Sequence, residues 1–123
     1  HEAGAAPLFY LTWARRDGFP DYGMYDYDSM QTQVNNGYYA IAGRLGVPVV
    51  PVGSAWRFVL TEHPEIPLFQ DDGNHPTEQG SYLAACVFYK AIFKESPLGL
   101  RYRGNLSKEI ANVLQMAASE INY

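Results

Sequence analysis

The stretch from residue 77 to residue 94 restricts the fold more than any other part of the chain. Read as a helix, it carries Leu83, Val87 and Ala91 on one line and Ala84, Phe88 and Ile92 on the next. Residues three and four apart share a helix face, so the two lines merge into one broad apolar surface. A surface that wide calls for an equally wide partner, and a sheet is the expected one. The means to build a core are present. An apolar fraction of 47% and a charged fraction of 18% over 123 residues fit one ordered domain, and exclude a disordered chain.

The elements before this helix alternate in type. Residues 7–13 (Pro-Leu-Phe-Tyr-Leu-Thr-Trp) form an apolar run of strand length, ended by Arg15-Arg16-Asp17-Gly18. A loop rich in Gly, Pro, Asp and Tyr continues to about Tyr27. Asp28 with Gln31 three residues later reads as a capping box. Met30, Val34, Tyr38, Ile41 and Leu45 then make an amphipathic stripe that Gly46 is placed to end. Residues 47–52 (Val-Pro-Val-Val-Pro-Val) predict a second strand, short or close to a sheet edge because Pro has no amide to donate. Gly53-Ser54 opens a short helix through Leu60, which must stop before Pro64, and residues 66–69 are extended. Ser107 caps a last helix with Ile110, Val113, Leu114, Ala117 and Ile121 on one face.

Strand, helix, strand, helix predicts parallel pairing with right-handed crossovers, an α/β architecture. Two strands are too few to cover helices so patterned, so further strands are expected from elsewhere. The chain also starts at His1 rather than Met and reads as a fragment or processed product, a single, partial domain over residues 1–123. A bare strand edge or an apolar patch would then attract self-association or a companion segment.

Chemistry concentrates at Asp72-Gly73-Asn74-His75-Pro76-Thr77, just before the long helix. The turn residues predict a loop, and a carboxylate three positions before an imidazole on a short loop can hydrogen-bond to it. Such a bond fixes the ring tautomer and leaves the other nitrogen free as a general base. The simpler alternative is that Asp72 braces the turn and His75 sits at a helix entrance. Asp71 is a rival partner on position alone.

This loop, followed by Gly80-Ser81-Tyr82-Leu83-Ala84-Ala85, resembles the last motif block of the SGNH (GDSL-type) serine hydrolase superfamily. Tyr10-Leu11-Thr12-Trp13-Ala14-Arg15, Val52-Gly53-Ser54-Ala55-Trp56 and the helix around Leu114-Gln115 are similar to bacterial members of it. The resemblance implies a parallel-sheet, flavodoxin-like three-layer α/β fold, of which this chain is the C-terminal part. It implies hydrolysis of a small-molecule or carbohydrate ester without a cofactor, with His75 as general base and Asp72, by its spacing, as the residue that orients it. The family's Gly-Asp-Ser nucleophile turn and its Gly-x-Asn-Asp block are absent, so the Ser is expected on a segment N-terminal to this one. Ser81 is a poor substitute, since it lies on the helix rather than on a sharp exposed turn. A non-catalytic binding or structural module that keeps part of the fold is the alternative.

Loops after parallel strands converge at one end of a sheet, so residues 12–27, residues 53–56 and the Asp72 loop are expected to face one crevice. Trp13, Arg15, Trp56 and Asn74 are the candidates to line substrate there, with Arg16, Tyr22, Tyr25 and Tyr27 as further possibilities. Against this, both tryptophans can equally pack in the core and both arginines can face solvent.

Other classes find little support. A net charge of −4, with basic residues scattered except for Arg15-Arg16 and Arg101/Arg103, gives no footprint for nucleic acid. The three histidines show no ligand spacing, and Glu2 beside His1 lacks the second His of a zincin motif, so no metal site is expected. No apolar run reaches membrane-spanning length. The single Cys86 rules out an internal disulfide and reads as a small core residue, which leaves the compartment open.

Overall fold

Prolines at 48 and 51 bracket the second strand and hold it to two residues. In the computed structural model, which describes residues 4–123, β1 (Phe9–Tyr10) and β2 (Val49–Val50) pair in parallel, Phe9 opposite Val49 and Tyr10 opposite Val50. The amide of Phe9 donates to Pro48 O at 2.9 Å and that of Leu11 to Val50 O at 3.0 Å. Neither proline has an amide to extend the ladder in return. Beyond Val50 the chain turns straight into α2 (Val52–Glu62), and the amide of Gly53 donates to Leu11 O at 2.7 Å, closing the end of the ribbon. His1 and Glu2, weighed above for metal binding, lie outside the described residues.

The remaining elements are helical: α1 (Tyr27–Leu45), which connects the two strands, α3 (Glu78–Phe93) and α4 (Lys108–Glu120), with a 3-10 turn at Pro20–Tyr22. The expected three-layer α/β architecture is therefore not what forms. Among the described residues the protein is a helical assembly with a two-stranded parallel ribbon at one side. The broad face of α3 is covered in part, mainly by helices: Ile92 stays 53% exposed, and Phe88 packs against Tyr10 of β1. Leu83, Cys86 and Val87 are buried in one core with Val59 and Trp56 of α2 and Ala111, Leu114, Ala117 and Ala118 of α4. Three alanines on α4 allow its backbone to approach closely. Two helices side by side offer an apolar surface as wide as a sheet does, so the width of the α3 stripe could not tell the two apart.

Helix α1 also departs from expectation. Its N-cap is Asp26, whose carboxylate accepts from the Ser29 amide at 2.8 Å, not Asp28. Gln31 is consequently not part of a capping box. It is fully buried, accepts from the Ala14 amide at 2.7 Å and donates to Thr12 O at 3.2 Å and Asn35 Oδ1 at 2.9 Å. The predicted stripe is only partly covered: Met30, Val34 and Tyr38 are half-buried, while Ile41 and Leu45 are 46% and 63% exposed. Gly46 ends the helix in the left-handed conformation as expected, at φ 65°. No helix among the described residues is long and apolar enough to cross a membrane.

Gly80, in the first turn of α3, lies against the indole of Trp56. A Cβ placed there would come within 2.6 Å of both Leu68 O and the Trp56 ring. Helix propensity alone makes Gly80→Ala stabilising by about 1 kcal/mol. The contact reverses the sign: we expect a loss of about 1–3 kcal/mol, measured by urea denaturation.

Candidate active site

The segment between α2 and α3 folds back on itself around Gly73. Phe69 and Pro76 form an isolated antiparallel bridge, and the amide of Gln70 donates to His75 O at 2.8 Å. Gly73, at φ 68°, donates its amide to Gln70 O at 2.9 Å and supplies the left-handed residue that the turn needs. Thr77 then starts α3 twice over. Its hydroxyl donates to Pro67 O at 2.6 Å and accepts from the Gly80 amide at 3.1 Å.

Within this turn Asp72 and His75 meet side chain to side chain, with His75 Nδ1 and Asp72 Oδ2 2.5 Å apart. The other carboxylate oxygen accepts from the amides of Asn74 at 2.9 Å and His75 at 3.0 Å. One carboxylate thus fixes the backbone of the turn and the imidazole together. The His75 hydrogen bond, followed by the two amides, holds the Asp72 carboxyl well below the usual carboxylate range, at about 2. With an ionised Asp72 as acceptor, Nδ1 carries the proton and Nε2 is left as the free base. Both groups are open to solvent, the His75 side chain 67% and that of Asp72 48% exposed. Asp71, the rival by position, takes no part in the pair. Its carbonyl accepts from Arg16 Nη2 at 3.1 Å.

Residues 13–16 pin the outer side of this loop. Trp13 Nε1 donates to Asn74 O at 2.9 Å, and the Arg16 amide donates to Gly73 O at 2.8 Å. Together with the Arg16 guanidinium, three contacts from one short segment hold the carbonyls of Asp71, Gly73 and Asn74. That segment is in turn held by Gln31 from α1. Trp13 lies flat on Trp56, ring centroids 4.2 Å apart at 8°, and Phe69 meets Trp56 edge-on at 5.0 Å.

The residues predicted to line substrate divide accordingly. Asn74 and Trp13 belong to the loop and its support. Trp56 is fully buried and has no surface for a ligand, so its part is to carry Trp13. Gly53 and Ala55 are buried with it. Arg15 is exposed, with its guanidinium 4.7 Å over the ring of Phe19, and Arg16 takes the place beside the loop. Arg16 also lines a concavity of about 390 Å³ with Asp26, Tyr27, Asp28, Leu60 and Thr61, which puts Tyr27 next to this region. Gln31 was missed as a supporting residue. Its partners Thr12 and Ala14 are 19 and 17 positions away, and no local pattern links them.

The pairing makes a prediction about pH. A carboxyl whose folded-state pKa is depressed contributes stability above its unfolded value and loses that contribution as pH falls through the folded value. The Asp72 carboxyl, followed by NMR, should titrate at about 2. In His75→Ala its midpoint should rise toward the ordinary value of about 4 without reaching it, since the two amides remain. A midpoint unchanged by the substitution would mean that the side chains do not pair in solution.

No metal-binding group of three or more His, Cys, Asp or Glu occurs among the described residues. Compared with known proteins, the chain matches no family model, no curated protein and no solved structure.

Proposed function

We propose that the Asp72–His75 pair is the base half of a serine ester hydrolase site of the SGNH type. His75 takes the proton of an attacking hydroxyl and returns it to the leaving alcohol, while Asp72 orients the ring and stabilises the imidazolium. The observation that carries this reading is the 2.5 Å contact between Nδ1 and Oδ2, on a loop braced from outside, with the ring exposed. The function rests on this loop and not on the three-layer fold.

The nucleophile in this reading is a Ser outside these 123 residues. The candidates within the chain are poorly suited. No hydrogen bond joins Ser81 to His75 among the described residues; Ser81 is exposed in the first turn of α3. Ser54 faces a separate concavity with Tyr39, Arg57 and Phe58. Burial pushes the Cys86 thiol up to about 11, which removes it as a thiolate at neutral pH. A small-molecule or carbohydrate ester is the substrate class, and the segment of the same hydrolase that brings the Ser is the partner. A non-catalytic module is the second reading. It is favoured by Asp72 Oδ1, which already accepts two amides and would hold the turn without the ring.

Hydrolysis of a short-chain aryl ester separates the two. The chain alone should be close to the buffer rate, and a version extended by a segment bearing Gly-Asp-Ser should be active. In that version His75→Ala should cost on the order of a hundredfold or more, and Asp72→Ala less, because the base survives loss of its orienting partner. An inactive extended chain with an intact fold, or a His75→Ala variant as active as its parent, would leave the structural reading standing. Fast turnover and serine-directed labelling of the 123-residue chain itself would place the nucleophile on Ser81 or Ser54 instead.

A further inference from the structure

Gly99-Leu100-Arg101-Tyr102-Arg103-Gly104-Asn105-Leu106-Ser107-Lys108 holds three of the nine Lys and Arg residues of an acidic chain, and no carboxylate. In the structure the three cations gather. Arg101, Arg103 and Lys108 line a concavity of about 430 Å³ together with Asn112, over a floor that includes Leu100, Ala111 and Gln115. That is the size of a small-ligand site. No acid lines it. Glu78 lies nearby but accepts from the Asn105 amide at 2.8 Å, and Glu109, in the first turn of α4, is not part of the wall. None of the three cationic head groups is ion-paired or hydrogen-bonded to protein among the described residues.

Loops between helices usually carry such cations on a mobile backbone. Here the backbone is fixed from beneath. Gln115, only 1% exposed, accepts from the Gly99 amide at 3.0 Å and donates to Leu100 O at 3.1 Å and Tyr82 Oη at 2.9 Å. The Tyr82 hydroxyl donates onward to Tyr102 O at 2.7 Å. The main chain is therefore held on both sides of Arg101, and the Tyr102 ring is turned outward, 80% exposed. A buried glutamine that organises a surface wall of unpaired cations prepays the ordering that oxyanion binding requires.

We propose that this concavity binds a phosphate or sulfate group of a small ligand. The two arginines supply forked donors, Lys108 a point charge and Asn112 a neutral donor. The site is separate from the Asp72–His75 loop, and it stands whether or not that pair is catalytic.

The test is a ¹⁵N NMR titration of the full chain with inorganic phosphate and with pyrophosphate, against sodium chloride of matched ionic strength. Saturable shifts should be confined to residues 99–112, and Arg101→Gln/Arg103→Gln/Lys108→Gln should weaken binding by about tenfold or more. All three residues are exposed, so the variant should fold as the parent does, which its remaining spectrum checks. Sedimentation with phosphatidylcholine vesicles, with and without phosphatidic acid, separates a lipid headgroup from a free anion. Binding that needs phosphatidic acid and is lost in the triple variant assigns the group to a lipid, and response to the soluble anions alone assigns it to a free ligand. Shifts that chloride reproduces, shifts scattered over Arg15, Arg16 and Arg44, a triple variant that binds within about twofold of the parent, or no response in either arm would each overturn the proposal.

Discussion

Trp56 is the point at which every part of the site-bearing half of the molecule meets. It is fully buried on α2, stacks on Trp13 from the segment after β1, meets Phe69 edge-on from the segment between α2 and α3, and touches Gly80 of α3. Four stretches distant in sequence thus share one ring. An aromatic of this size contributes more apolar burial than any other side chain, and its flat faces set angles as well as distances. Its Nε1 has no hydrogen-bond partner among the described residues, a cost that the stacking must offset. The Asp72–His75 loop depends on it indirectly. Trp13, stacked on Trp56, donates from its Nε1 to Asn74 O.

Two glutamines do matched work in different parts of the fold. Gln31 and Gln115 are the buried polar side chains among the described residues. Each sits on a helix and holds a loop by accepting from one amide and donating to one carbonyl, at Ala14 and Thr12 in one case and at Gly99 and Leu100 in the other. A side-chain amide matches a peptide group donor for acceptor, so it can be buried without loss and still fix a loop that has no regular structure. The first loop braces the Asp72–His75 turn through Trp13 and Arg16, and the second carries Arg101 and Arg103.

Much of the local structure was legible because it is written locally. Ser107 caps α4 as predicted, α3 starts at the residue 77 boundary with Thr77 as its cap, Gly46 closes α1, and the Asp72–His75 contact spans three residues of one turn. The errors came from distance. Asp28 mimics a cap, but Asp26 is the cap, because Gln31 answers to Ala14 rather than to its own helix terminus. The strand predicted over 47–52 shrank to two residues, since Pro51 ends it and Val52 already belongs to α2. The layer architecture failed for the same reason. The covered face of α3 is narrower than its pattern suggests, since Ile92 stays exposed, and its main partner is set by Ala111, Ala117 and Ala118, whose small size permits helix-on-helix contact and carries no signature of its own. Arg16 and Arg15 are neighbours with opposite fates, and nothing in a single sequence separates them.

The near-parallel stack of Trp13 on Trp56 has an optical consequence. These are the two tryptophans of the chain, and at 4.2 Å and 8° their indole transitions couple rather than absorb independently. Such a pair gives a split signal in the near-ultraviolet circular dichroism and shared, partly quenched emission. Because one ring is anchored to Asn74 O, the coupling reports how the Asp72–His75 turn is seated, and any event that lifts the turn would alter the spectrum without an added label.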